Sequence, residues 1–434
     1  MIRISDNRRF LINDDGSPFF YLADTAWELF HRLTREDARF YLRDRAAKGF
    51  NVIQAVLLAE FNGLTLPNAY GHLPLENGDP ARPIDAYFQH VDWIVDQAAA
   101  LGLYIGMLPT WGDKWNKKWG TGPEIFTPDN ARVYGRYVGR RYRDKPIIWI
   151  MGGDRHVETE PHLAILIAMA QGIRDAGADQ LMTLHPHGGH GSSESVHQQP
   201  WLDFNMWQSG HARRYNPNWR MIDGDYQLMP TKPTLDGEPW YENHPVAHGK
   251  QSIWCDEHDV RCLAYWAVFH GACGHTYGCH DMWGFTEPGW QPVATVRGHW
   301  FDSIHLPGAR QVGYLKNLML SRPYLTRIPD QSILIGDAGC ESDHRAATRD
   351  GTVGQKDATY VMAYCPTPAA QALDTSVIAG AKLRVWSFNP RSSHARRERE
   401  IDNAGRFHTD RSQVGPDRVI VIDDAARDYP PPGS

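Results

Sequence analysis

From its start to about residue 325 the chain alternates short apolar runs with amphipathic helical patterns, and it does so eight times. This alternation constrains the fold more than any other feature. Parallel strands can be joined only by crossovers of a dozen or more residues, usually helices, so a repeated strand–helix rhythm demands a parallel sheet with helices packed on it. The strand runs read from the sequence are Phe19–Ala23, Asn51–Leu58, Leu103–Leu108, Ile147–Met151, Leu181–Leu184, Trp201–Met206, Pro233–Asp236 and Gly274–Tyr277. Between them, Thr34 caps a helix to Lys48 that Gly49 closes, another spans 84–101, Pro128 opens a third, and 158–176 and 256–272 hold two more. Eight such units in about 300 residues predict a (β/α)8 TIM barrel. A doubly wound sheet is the structural alternative. It lacks its usual signature, since no GxGxxG follows the first strand and no GxxxxGK[ST] occurs.

Beyond Arg327-Ile-Pro329 the texture changes to short alternating runs separated by polar Gly-, Pro- and Asp-rich turns: Ser332–Ile335, Thr359–Tyr364, Ala381–Trp386 and Arg418–Ile422. This predicts a small all-β sandwich domain over 329–434, after a barrel over 1–328. The mixed-sign run His394–Glu400 reads as a solvated hairpin. The second domain is expected to brace the barrel rather than bind a glycan.

Net charge is −6 with no basic stripe, so no nucleic-acid partner is expected. No run of 18 apolar residues exists, so no membrane span is expected either. The segment 1–10 lacks the apolar stretch of a signal peptide; the expected location is cytoplasmic, or exported with the signal already removed. Oligomeric state is left open. The six cysteines match neither a zinc spacing nor a disulfide framework and read as core filler.

In a barrel, chemistry sits where strands run into the loops after them. Read at those positions alone, the chain offers Asp24 and Trp27, Glu60, Trp111, Asp154 with His156, His185 with His187, Trp207 with Gln208, Glu238 with Trp240, Tyr241 and Glu242, and His280 with Trp283. Carboxylates, amides, imidazoles and indoles at nearly every strand end suit a polyhydroxylated ligand, whose hydroxyls need donors and acceptors and whose ring faces need flat apolar cover. The 16 tryptophans add weight, for 15 precede residue 329 and eight (Trp27, Trp111, Trp115, Trp119, Trp207, Trp240, Trp283 and Trp290) fall at strand ends or in the loops beyond. Asp154 follows two glycines and Glu238 lies between Gly237 and Pro239. Carboxylates on strands four and seven are the pairing that glycoside hydrolysis uses. Structural alternatives exist for several of these: Asp24 could cap a turn, and Glu60 or Glu242 could pair with a buried Arg. A lone His185-x-His187 is too weak to assign a metal, so neither metal nor cofactor is expected.

Several motifs in order carry a family resemblance: Phe19–Trp27, Leu33–Glu36, Tyr41–Gln54, Lys145–Asp154, His185-Pro-His187-Gly and Asp236–Glu242. Together with Trp386-Ser-Phe-Asn-Pro-Arg391, they resemble the apiosidase-like glycoside hydrolases, glycoside hydrolase family 140, over nearly the whole chain. The resemblance implies a (β/α)8 barrel with a β-sandwich behind it. It implies Asp154 as general acid/base, Glu238 as nucleophile, and a carbohydrate substrate, an apioside or related pentoside in a plant-type glycan. Two departures stand out: Gly153-Asp154 replaces the Asn-Glu pair of the wider clan, and Asn389 stands where an Asp is expected. Two rival readings remain, a non-catalytic sugar-binding barrel and a metal-dependent sugar isomerase or hydrolase using strand-end His and carboxylates.

Overall fold

The structure, a computed structural model, describes residues 1–249, 252–289 and 295–434. Eight parallel strands form the barrel: β1 (Tyr21–Thr25), β2 (Val52–Val56), β3 (Tyr104–Leu108), β4 (Ile147–Gly152), β5 (Met182–His185), β6 (Asn205–Gln208), β7 (Thr234–Asp236) and β8 (Gly274–Tyr277). The sheet runs β5-β4-β3-β2-β1-β8-β7-β6. It closes between β8 and β1, where Gly274 pairs with Tyr21 and Tyr277 with Asp24. Between β5 and β6 the ladder is replaced by two single bonds, Asp203 N–H to the Met182 carbonyl at 2.8 Å and the Thr183 hydroxyl to the Phe204 carbonyl at 2.6 Å. A two-residue strand, His190–Gly191, pairs antiparallel with β6 on that side. The sheet is therefore a nearly closed barrel.

The helices begin where the sequence supplies caps. The Thr34 side chain accepts from Asp37 N–H ahead of α1 (Arg35–Ala47), and α2 spans Asp85–Ala100. Thr127 and Asn130 form a reciprocal capping box at α3 (Pro128–Tyr142), Thr159 caps α4 (Glu160–Asp175), α5 spans Asn218–Tyr226, and Asp256 with Asp259 caps α6 (Glu257–Phe269). A last helix, α7 (Pro307–Leu320), packs against α6. Among the described residues no helix is long and apolar enough to cross a membrane.

Two expected strands differ from what forms. The sixth lies at 205–208 rather than 201–206: Trp201, Leu202 and Phe204 are buried, but as a turn, and only from Asn205 does the backbone pair with β7. An apolar run reports burial, not extension. At 332–335 a 3-10 turn (Gln331–Ile333) forms, because the Asp330 side chain accepts from Ser332 N–H and closes the backbone locally.

The C-terminal domain is an antiparallel six-stranded sheet: β9 (Ile328–Pro329), β10 (Ala346–Arg349), β11 (Tyr360–Cys365), β12 (Lys382–Asn389), β13 (His394–Asp402) and β14 (Arg418–Asp424), in the order β9-β10-β11-β14-β12-β13. A two-stranded sheet (Ala372–Asp374 with Arg406–His408) lies beside it. Mixed-charge β13 is the edge strand, hairpinned to β12. Alternation along the strands divides their loyalties. Tyr360, Met362 and Tyr364 join the core of the barrel, whereas Val361 and Ala363 join a separate core within the second domain. The join is both apolar and ionic. Tyr364 stacks on Tyr265 of α6 at 4.4 Å, Arg261 clasps Asp417 at 2.7 and 2.9 Å, and Arg322 clasps Asp423 at 2.8 Å through two bonds. Five cysteines are buried free thiols; Cys340, by contrast, is exposed.

Candidate active site

The end of β4 is shaped by backbone. Gly152, Gly153 and Asp154 all take positive φ (90°, 105° and 54°). A Cβ on Gly152 would stand 2.5 Å from the His185 carbonyl oxygen, and one on Gly153 would crowd Trp111 and Gly112. Only glycine fits these two positions, and Asp is among the few residues that tolerate the third. The turn throws the Asp154 side chain into the barrel mouth. Its own N–H donates to His185 Nδ1 at 3.1 Å, which leaves the His185 proton on Nε2. That Nε2 lies 2.9 Å from Glu238 Oε2.

Glu238 leaves β7 through Gly237, whose N–H donates to the Trp207 carbonyl at 2.7 Å and where a Cβ would collide with Met206. His211 Nε2 approaches Glu238 Oε1 at 3.0 Å. Burial opposes ionisation of Glu238, but the two imidazoles, His185 and His211, outweigh it and hold the carboxyl down at about 2. Asp154 goes the other way. Burial pushes it up first, the Glu238 charge pushes further, and Arg155, His185 and Gln208 oppose; the result is about 6. Arg155 Nη1 stands 3.0 Å from Asp154 Oδ2, and the same guanidinium holds the Asp154, Asn116 and Lys117 carbonyls. Glu60 is raised well above the usual carboxylate range by burial and by the charges of Glu28, Asp154, Asp113 and Glu238. One cleft therefore holds a carboxyl held low, a carboxyl that titrates near neutrality, and a third raised well above the usual carboxylate range.

The cleft has a volume of about 970 Å³. Of the residues expected at the site, Trp27, Glu60, Trp111, Asp154, Gln208, Glu238, Tyr241, His280 and Trp283 line it. His185 lies beneath, buried against Trp27 and between the two acids. His156 and His187 stand beside the mouth, 5.7 Å apart, with His187 edge-on to Trp119.

Four expected residues fall elsewhere. Asp24 is buried in the core, where Arg45 and the Tyr41 hydroxyl both bind its Oδ2. Trp207 alternates with Gln208 on β6, so as Gln208 faces the cleft, Trp207 turns outward over Gly191. Trp240 is buried, its indole N–H donating to His244 at 3.3 Å. Glu242 accepts from the Tyr277 hydroxyl at 2.6 Å and from Gly308 N–H at 3.2 Å, and burial lifts its carboxyl to about 7.

Other cleft residues escaped strand-end reading, notably His211 and Asp113. His211 sits in a loop past the end of β6, and no local pattern marks it. Asp113 could have been noticed for its place two residues past Trp111; it is buried, pairs with Lys114 at 2.6 Å and accepts from Gly122 N–H at 2.8 Å, tying down the loop that carries Trp119. Of the eight strand-end tryptophans, Trp27, Trp111, Trp119 and Trp283 line the cleft, whereas Trp115, Trp207 and Trp240 pack inside. Trp290 lies outside the described residues.

Residues 5–326 match the family model "Apiosidase-like, catalytic domain", and residues 328–423 match "Putative collagen-binding domain of a collagenase". One similar solved structure, described as a glycoside hydrolase, is 34% identical with a TM-score of 0.90, over 99% of this chain and 98% of that one. Another, described as a family 5 glycoside hydrolase from Bacteroides vulgatus, is 33% identical with a TM-score of 0.90, over 99% and 94%. No curated protein matches the chain.

Proposed function

The chain belongs to the apiosidase-like glycoside hydrolases, and from that premise we propose that it removes a terminal apioside or related pentoside from a plant-type glycan, with Asp154 as acid/base and Glu238 as nucleophile. The observation that carries this reading is the split between the two acids, one held at about 2 and the other pushed up to about 6 in a single cleft. Environments that drive two carboxyls apart divide the labour of acid and nucleophile.

In this mechanism the protonated Asp154 gives its proton to the departing glycosidic oxygen while Glu238 attacks the anomeric carbon. The bond to the leaving sugar breaks and an ester to Glu238 forms. Asp154, now a carboxylate, takes a proton from water. The resulting hydroxide displaces Glu238 and retains the anomeric configuration. His185 and His211 keep Glu238 ionised and oriented. Glu60 can hydrogen-bond a sugar hydroxyl, and Trp27, Trp111 and Trp283 offer flat faces to the ring.

The test is a panel of aryl pentosides, apiosides and arabinosides among them, run with Asp154→Asn and Glu238→Gln. Both variants should fold and lose turnover, and the first product should carry the substrate's anomeric configuration. Near-normal turnover in either variant sinks the assignment, and an inverted product removes the ester step.

A further inference from the structure

Beside the cleft, three imidazoles and a carboxylate converge from two barrel loops. His156 lies two residues beyond Asp154, His187 and His190 follow β5, and Glu194 sits on the short helix Ser193–Val196. Ring centres of His156 and His190 are 4.7 Å apart, and those of His187 and His190 4.2 Å. One ligand-capable atom from each of His156, His190 and Glu194 lies within 4.8 Å of the others. The backbone holds these groups in place: His190 is fixed by strand pairing opposite Gln208, and Glu194 Oε2 accepts from Gly191 N–H at 3.2 Å and contacts His190 Nδ1 at 2.7 Å. His156 Nδ1 is buried without a hydrogen bond.

A second group of similar closeness, Asp256, His258 and Asp259, makes an instructive contrast. Its atoms are already committed. Asp256 and Asp259 cap α6 reciprocally, Asp259 pairs with Arg214 at 2.9 Å, and His258 Nε2 approaches the Pro366 carbonyl at 2.9 Å. The cluster beside the cleft retains an unused buried nitrogen on His156.

We propose that His156, His190 and Glu194 form a zinc site beside the catalytic cleft. Imidazole and carboxylate donors suit Zn²⁺, and three protein ligands leave the fourth tetrahedral position to water. The ion would exchange the His190–Glu194 contact for bonds to both groups. It would clip the loop that carries Asp154 to the loop whose Gly188 and Gly189 line the cleft.

The full chain, without a histidine tag and stripped with EDTA, is titrated with zinc chloride, with calcium chloride as the hard-cation control. One equivalent of zinc should bind and raise the melting temperature, and calcium should do neither. X-ray absorption at the zinc edge should show an imidazole-rich shell. The double variant His156→Ala/His190→Ala should bind no zinc, and Glu194→Gln should bind at least about tenfold more weakly. If the double variant fails to fold, Glu194→Gln and the absorption spectrum still decide. No binding, a shell without imidazole, or binding unchanged in either variant overturns the site.

Discussion

His211, from the loop after β6, places its Nε2 3.0 Å from Oε1 of Glu238, on the opposite carboxylate oxygen from the one His185 approaches. Glu238 is thereby held between two imidazoles, one at the end of β5 and one in the loop after β6. His211 stacks in turn on His244, with ring centres 4.6 Å apart, so its position is itself supported. His211→Ala should reduce kcat/KM by about 10²-fold, the scale expected when a reacting group loses its alignment. The same change should move the acidic limb of the pH profile upward from about 2, because one of the groups that lowers the Glu238 carboxyl is gone. A limb that stays put would show that His211 does not hold the nucleophile.

The alkaline limb belongs to Asp154. Catalysis needs it protonated in the free enzyme, so kcat/KM should fall about tenfold per pH unit above about 6. Since the Glu238 charge raises Asp154, the Asp154 carboxyl should titrate lower in Glu238→Gln, which NMR of the labelled carboxyl can read without any turnover. An unchanged Asp154 titration would contradict the electrostatic link between the two acids.

Stability should follow the same group. Asp154 is raised above its ordinary value, so the folded chain binds its proton more tightly than the unfolded chain. The stability this brings is full below about 3.8 and is lost as pH rises through about 6. Asp154→Asn should therefore melt at least as high as the parent protein above neutral pH, and Asn also accepts the left-handed backbone there. A variant that melts markedly lower at high pH would mean that its Arg155 pairing matters more than its desolvation.

The tryptophans separate into two kinds of experiment. Trp207→Ala should cost about 3–5 kcal/mol of stability, because the indole is buried with Ile222, Ala267 and Ala272. Trp119 is 62% exposed and lies over Arg155 at 4.2 Å on the cleft wall. Trp119→Ala should raise KM and change stability by no more than about 0.5 kcal/mol. Thermal melts and steady-state kinetics on the pair check both halves.

The join between the domains makes a stability prediction. Arg261 and Asp417 are both fully buried. Asp417→Ala leaves the guanidinium unpaired and should cost about 3–5 kcal/mol in denaturant unfolding, while Arg261→Met/Asp417→Leu should recover most of it. If the single change is neutral, the second domain does not brace the barrel through this pair.

The barrel was legible in the sequence because its signals are local. Thr34, Pro128, Thr159 and Asp256 mark helix starts, and β-rich runs of four to eight residues mark the strands between them. The same reading faltered at 201–206 and 332–335, where burial or an Asp-capped turn imitates a strand. It missed β10 because Ala346-Ala-Thr-Arg349 carries no bulky pattern; its burial comes from packing against α6.

For the site, sequence alone brought Asp154 and Glu238 to strand ends, since each acid sits beside glycines that only a tight strand exit requires. What it could not decide is which neighbours those acids keep. Asp24 near the end of β1 and Glu242 in the segment after β7 occupy equally good positions in the sequence, yet Arg45 and Tyr277 draw them into the core. Trp207 and Gln208 are adjacent, yet one pleat sends them to opposite sides. His211 joins Glu238 across 27 residues of chain. Strand ends are fixed by local periodicity, but the direction of a side chain, and so the charge it carries, depends on packing between segments distant in sequence, and that only the tertiary structure decided.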